Sequence, residues 1–487
     1  MFRLSIPTAA LLIVGSTIAA EPANLTLEEA DSRLRHAYEL ARETNDSTLI
    51  DRVLGFRDLA RRAFDRKDVA AAQRLIRDAE EAVGLEAGGK SMLGLPVGRA
   101  DPRIRKRFEA IEEKLAAAMD GNDPSDVATI VGEYRKLLGQ SAGVPEVRKR
   151  GEVAKPTPIK SEDVAATFLK IIEADPRALK ALKSGVPDST STPRAYAAIV
   201  VGCLTIRPAI EKHFKDKLAE IDDVIRGSCK AMLALQVKAG HFKFPDLRTQ
   251  NLLIGDAIEN LIEKDADALQ DGWVVKPFSD GMSQIDAAEC GIALLQAGEA
   301  FKIAEWTQAG LAAANWSKNS PLVANFVHNA YSVSLLCAAS KAKPDDKFGE
   351  TAWRRFSMGV APGQTPTGRL LDPRSARTSN HFVFIRTVQD LLKVMPKGME
   401  FEVVSRAWKS AIGAVVEESD KLGAPITTHT VQELRRYCAI DTKPDSKLRL
   451  LLEESGAATF RRCTQGGRVR AAAPLPELAE VSRIWAK

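Results

Sequence analysis

Aromatic residues are scarce, at 6% of the 487 residues. Strand-rich sandwiches draw on Val, Ile, Thr and aromatic side chains to cover a pleated face, so this shortage argues against them. After residue 20 no run reaches about 18 consecutive apolar residues, and no later segment is long enough to cross a bilayer. Charge of one sign is lacking as well: 69 basic against 64 acidic residues give a formal charge of +5. So small and dispersed an excess does not point to nucleic acid as a partner. The six histidines show no H-E-x-x-H spacing, the cysteines no C-x-x-C pair, and G-x-S-x-G is missing. No metal site and no cofactor is expected from such a sequence.

What is present suits a helical protein with a sizeable core, since hydrophobic residues make up 45% and charged residues 27%. Residues 1–20 read as a signal peptide, with Arg3 before an uncharged stretch and small residues at Thr17, Ala19 and Ala20. The expectation is a periplasmic or secreted protein with no membrane span once that segment is removed. Six cysteines follow, and Cys290 and Cys337 lie in apolar helical runs as buried thiols would. The spacings Cys203–Cys229 and Cys438–Cys463 leave room for bridges that a chain of this size does not need.

Periodicity near 3.6 dominates wherever a period is visible, so the fold class is all-α. Residues 21–140 form a helical-hairpin region dense in Arg, Glu and Asp, whose exposed faces are candidates for docking another protein. Residues 141–160, with Pro145, Pro156 and Pro158, read as a linker. From 161 to 463 apolar helices alternate with loops rich in Gly, Pro and Asp, notably 238–250, 271–282 and 359–378. Three segments, 284–295, 326–336 and 381–392, each begin polar and end in Leu-Leu, as hairpins stacked in a ring or solenoid would. Residues 464–487 are expected as a C-terminal tail. The P-loop spelling in 84–91 lacks the strand before it and the helix after it that phosphate binding requires, so it reads as a Gly-rich helix stop.

Polar stripes on apolar helices carry the candidate chemistry. Asn325, His328, Asn329 and Ser332 fall at i, i+3, i+4 and i+7, with Tyr331 at the edge of the same face. Uncharged hydrogen-bonding groups there suit a partly enclosed cleft, or a core helix with satisfied polar residues. Arg374, Arg377, Asn380 and His381 gather at the start of another helix, where Arg can grip a carboxylate and His can titrate. His429, Gln432, Glu433 and Arg436 read as a solvated face, and Asp286 with Glu289 as first-turn acids or an acid–base pair.

The segment Asn325-Phe-Val-His328-Asn329-Ala-Tyr331 resembles the inner-helix start of the α/α-toroid polysaccharide lyases of the alginate-lyase type. The stretch 353–358, Gly368-Arg-Leu, Arg374-Ser-Ala-Arg377 and Ser379-Asn380-His381-Phe382 resembles the hairpin that follows. Phe382 and Phe384 stand where that family places its catalytic Tyr. The resemblance implies an (α/α) toroid over 161–463 and β-elimination from a uronate-containing, acidic polysaccharide. That reaction needs a neutraliser for the carboxylate, a base, and an acid for the leaving oxygen. By resemblance Asn329 and Arg377 neutralise, His328 or His381 is the base, and Tyr331 is base or acid. Asn325, Arg374 and Asn380 then bind substrate. Two other functions fit the same scaffold: a glycoside hydrolase using Asp246, Asp286 or Glu289, and a non-catalytic envelope binding protein.

Overall fold

The computed structural model describes residues 155–248, 252–279, 281–364, 368–370, 378–395, 398–422, 429–440, 446–465 and 475–485, with scattered positions between 30 and 133. The signal-peptide segment, and Arg374 and Arg377, lie outside the described residues. In the N-terminal part, α1 (Val69–Ala82) starts directly after Asp68, and its Ile76 and Ala79 pack with Ala30, Leu34, Val53 and Ala60 in a small core of their own. Leu115, Met119 and Val127 instead share a hydrophobic cluster with the large second region. The P-loop spelling falls on a two-residue antiparallel pair, β1 (Leu85–Glu86) with β2 (Lys90–Ser91). The described residues of the spelling pair as antiparallel strands, with Lys90 and Ser91 in a strand and not in a helix.

The second region is built from α2 (Ser161–Glu173), α3 (Pro176–Ser184), α4 (Pro193–His213), α5 (Leu218–Leu235), α6 (Leu252–Lys264), α7 (Met282–Phe301) and α8 (Ala304–Asn319). It continues through α9 (Phe326–Ala342), α10 (Phe348–Gly359), α11 (Thr378–Leu392), α12 (Met399–Leu422), α13 (Thr430–Ile440), α14 (Ser446–Gln465) and α15 (Leu475–Val481). Their packing closes on itself. Helix α4 packs on α7, α7 on α9, α9 on α11, α11 on α13, α13 on α15, and α15 back on α4. Outside this inner ring, α5 backs α4, α8 backs α7, α10 backs α9, α12 backs α11, and α14 backs α13. The last outer position, behind α15, is filled by α2 from the start of the region. The result is a closed (α/α) toroid of helical hairpins.

The closure shows why residues 475–481, within the segment expected as a tail, belong to the toroid. Leu475, Leu478, Ala479 and Val481 are buried, and α15 is the sixth inner helix without which the ring would be open. Inner helices are sandwiched between ring and outer layer, so they carry apolar residues all round, as α7 and α9 do. Asn325 starts α9 by accepting from the Val327 and His328 amides, at 3.0 Å each, which satisfies two orphan donors. The three echoing segments of the sequence are α7, α9 and α11, consecutive staves of the inner ring.

The loops 238–250 and 271–282 pair with each other rather than standing apart. Strands β3 (Phe244–Pro245), β4 (Leu269–Gln270) and β5 (Trp273–Val274) form a small antiparallel sheet in the order β3-β5-β4. With α6 it encloses a satellite core of Phe244, Leu247, Ile258, Val274 and Phe278 leading into α7. None of the six cysteines is in a disulfide, so neither spacing is a bridge; Cys203, Cys229, Cys290, Cys337 and Cys463 are buried. Among the described residues no helix is long and apolar enough to cross a membrane.

Candidate active site

Charged side chains that an apolar helix would normally exclude converge inside the ring. Arg386 on α11 donates from Nη1 to Glu289 Oε1 on α7 at 2.7 Å. Since α9 separates α7 from α11 around the ring, this ion pair crosses the lumen. Arg386 Nε also stands 4.0 Å from Asp390, one turn further along α11. Towards the start of the inner helices, Arg194 on α4 grips Asp286 in a fork, Nε to Oδ1 at 2.8 Å and Nη2 to Oδ2 at 3.2 Å. From α13, Arg436 lies 3.8 Å from Asp390 and 3.4 Å from Glu433. Tyr331 on α9 is within the electrostatic reach of both Arg194 and Arg386. His429 is within that of Arg386 and Glu289.

Two carboxylates one turn apart on α7 are driven in opposite directions. Burial pushes the Asp286 carboxyl above its usual range, against the pull of Arg194. Burial acts the same way on Glu289, but Arg386 and His429 outweigh it and leave that carboxyl below its usual range. Glu289 keeps 19% of its side chain accessible, so the lumen admits water at that depth. Burial, reinforced by Arg386, pushes the His429 imidazole down to about 4, so it is neutral at neutral pH. Glu433 is pushed up to about 7 by burial, although Arg436 and Arg386 pull it the other way.

The residues singled out by pattern divide by what they touch. Asn325 caps α9, and Asn329 is fully buried on backbone: its Oδ1 accepts from Val323 N at 3.1 Å, and its Nδ2 donates to Val323 O at 2.7 Å and Gly359 O at 3.0 Å. His381 is also fully buried. Its Nδ1 accepts from Leu370 N at 3.1 Å, and its Nε2 faces Ala411 O at 2.9 Å. Burial pushes this imidazole down to about 3. In this geometry Asn329 and His381 fasten loops to helices, and neither points a reactive atom into the lumen. Phe382 and Phe384 belong to the core, Phe384 stacking on Phe356 of α10 at 6.2 Å. Asp246 is paired with Arg248 at the edge of the small sheet, at 2.8 and 2.9 Å.

Tyr331 is the member of the first stripe within the electrostatic reach of Arg194 and Arg386. His328 is partly buried, its Nδ1 facing the Gly281 turn that starts α7. Asn380 is partly buried in the first turn of α11. The stripe His429, Gln432, Glu433 and Arg436, expected as a solvated face, lines the ring interior, with Gln432 and Glu433 buried. Asp286 and Glu289 lie beyond the first turn of α7, which starts at Met282. Arg194, Arg386 and Asp390 escaped the sequence reading. The signal was available: Arg386 and Asp390, at i and i+4, are the two charged residues of a helix whose other residues are apolar or uncharged polar, and buried charge has to be paired. Among the described residues no three His, Cys, Asp or Glu side chains are grouped to hold a metal ion.

No protein-family model matches this chain, and no curated protein matches it. Among solved structures it is similar to one described as an unsaturated glucuronyl hydrolase specific for heparin, at 15% identity and a TM-score of 0.27, over 63% of this chain and 98% of that one.

Proposed function

We propose that this is an exported enzyme that cleaves an acidic, uronate-containing polysaccharide by β-elimination inside the toroid. The observation that carries the reading is Tyr331 on α9, within the electrostatic reach of the two guanidiniums, Arg194 and Arg386, that engage the α7 carboxylates Asp286 and Glu289. Cationic neighbours favour negative charge on the phenol oxygen, so Tyr331 can take the proton next to the substrate carboxylate. The electrons of that C–H bond become the new double bond, and the bond to the leaving oxygen breaks. Tyr331 then returns the proton to the leaving oxygen, which balances the step. Arg386, and Arg194 at the shallower end, offset the charge that builds on the carboxylate as the proton leaves.

Incubation with alginate, pectate and glycosaminoglycans tests the reading. The expected product is a conjugated unsaturated uronate with its ultraviolet absorbance, and Tyr331→Phe lowers the rate roughly 10²-fold or more. A substrate cleaved without that absorbance, or a Tyr331→Phe variant of unchanged rate, overturns it. Export is checked separately by sequencing the native N-terminus, expected just after Ala19 or Ala20. One observation favours a second reading, glycoside hydrolysis: the opposed shifts of Asp286 and Glu289, since paired carboxyls pushed apart serve as acid and base.

A further inference from the structure

The far end of the lumen holds more positive charge than its own carboxylates balance. Three cations from two helices reach Asp390: Lys393 Nζ at 3.5 Å, Arg436 Nη1 at 3.8 Å and Arg386 Nε at 4.0 Å. A fourth, Lys341 from the last turn of α9, lies close enough to act on Asp390 and Lys393. Among the described residues no carboxylate comes within ion-pair distance of Lys341. Glu289 engages Arg386 from the other side, and Glu433 engages Arg436 while holding its proton to about pH 7. Near neutral pH four cations therefore face Asp390, Glu289 and a Glu433 that is only partly ionised, while Glu480, which also acts on Arg436, is itself engaged by Arg435 and Arg483. Helix C-termini attract cations one at a time, which accounts for Lys341 and Lys393 separately. It does not account for Arg436, in the middle of α13, turning to the same carboxylate. Lys393 and Arg436 keep 37% and 27% of their side chains accessible, so a ligand can reach them.

We infer that Lys341, Lys393 and Arg436 form a second anion subsite, which takes the carboxylate of a further acidic sugar beyond the one at Tyr331. This rests on the uronate reading above and extends it. Arg386 links the two subsites, bonded to Glu289 on one side and close to Asp390 on the other. A carboxylate arriving at the Lys393 end completes the charge balance and gains hydrogen bonds from partly desolvated donors. The chain would then lie along the toroid axis and be held at two points, so short fragments should bind more weakly than long ones.

The test uses the full chain carrying Tyr331→Phe, so that polymer is bound with turnover slowed roughly 10²-fold or more. Polygalacturonate, heparin and neutral amylose are titrated against this protein and against the same protein with Lys341→Gln and Lys393→Gln. Both lysines are exposed, so the folded state should persist, and circular dichroism checks that it does. The expected result is a loss of about tenfold or more in affinity for polygalacturonate at low salt, a shallower salt dependence, and no binding of amylose. An affinity changed less than twofold overturns the inference, and so does retention of heparin alone. The two readings fail separately. Lost affinity with no unsaturated product from the wild-type protein leaves the subsite standing without elimination. Product formed with affinity unchanged removes the subsite alone.

Discussion

Gln236 and Gln364 make the same pair of hydrogen bonds in two different loops. Each side-chain Nε2 donates to the carbonyl of a glycine four residues on, Gly240 at 2.9 Å and Gly368 at 3.0 Å. Each also donates to an outer helix, at Ala309 of α8 and Ala407 of α12, both at 2.9 Å. The two loops close with matching β-bridges, Gln236 to Phe242 and Gln364 to Leu370. Both glycines have left-handed backbone, φ +108° and +88°, and press against an outer-helix carbonyl. The loops follow the outer helices α5 and α10, so the same latch recurs two hairpins apart around the ring.

Gly368→Ala is expected to destabilise the protein severely. An added Cβ would lie 2.2 Å from Ser410 O at a φ that side chains avoid. A cost on the order of 3 kcal/mol is expected by chemical denaturation. Gly272→Ala is the control: its φ is +78°, but nothing lies within 4 Å of the added carbon, so only about 1 kcal/mol should be lost. Equal losses in the two variants would show that the latch contributes nothing beyond its backbone conformation.

The staves of the ring were legible because long apolar runs of helical length recur with a shared Leu-Leu ending, as in α7, α9 and α11. Closure was not legible. It depends on α15, a seven-residue helix containing Pro476 whose pairing with α4 joins distant parts of the chain. Nor could spacing say what a polar stripe faces. Asn325, Asn329 and Tyr331 lie on neighbouring positions of one helix, yet two hold backbone and the third is within the electrostatic reach of Arg194 and Arg386. His429, Gln432, Glu433 and Arg436 have the composition of a solvated face, and their burial follows only from where α13 sits in the ring.

His381→Ala should cost stability before it costs chemistry. It leaves the Leu370 amide and the Ala411 carbonyl without their buried partner, at roughly 2–4 kcal/mol together. Asn329→Ala removes three such bonds and should lose a similar amount. Thermal melting should show both losses. The rate per folded molecule, assayed well below the melting temperature, should fall less than tenfold. A 10²-fold or greater fall with the melting temperature unchanged would make either residue part of the chemistry instead.

Glu433 sets a pH dependence of known sign. Its carboxyl is pushed from 4.5 up to about 7 in the folded protein, so the fold holds this proton more tightly than the unfolded chain does. Its contribution therefore weakens as pH rises from about 4.5 to about 7 and then levels off. Glu433→Gln removes the titration and should raise stability above pH 7 by on the order of 2 kcal/mol, with the gain vanishing below about pH 4.5. The difference between variant and wild type isolates this group from His381 and His429. Those histidines act the opposite way, losing stability as pH falls below 6.5. A constant difference across pH 4.5 to 7 would mean that Glu433 is ionised throughout.

Glu289→Gln separates elimination from hydrolysis at a single atom pair. Glu289 accepts from Arg386 at 2.7 Å and sits one turn from Asp286 on α7. For elimination its work is indirect, fixing the guanidinium that offsets the substrate carboxylate. Gln keeps an oxygen for that hydrogen bond while losing the charge that opposes a bound uronate. Arg386 retains Asp390 as its ionic partner, so the guanidinium is not stranded in the lumen. Glu289→Gln should then keep the unsaturated product, change the rate less than about tenfold, and strengthen binding of the acidic polymer. For hydrolysis Glu289 would be the ionised member of the carboxylate pair, and its loss should remove 10²-fold or more of the rate. Unsaturated product at near wild-type rate from Glu289→Gln, with none from Tyr331→Phe, would assign the chemistry to the phenol. The reverse pattern, with saturated product, would move it to α7.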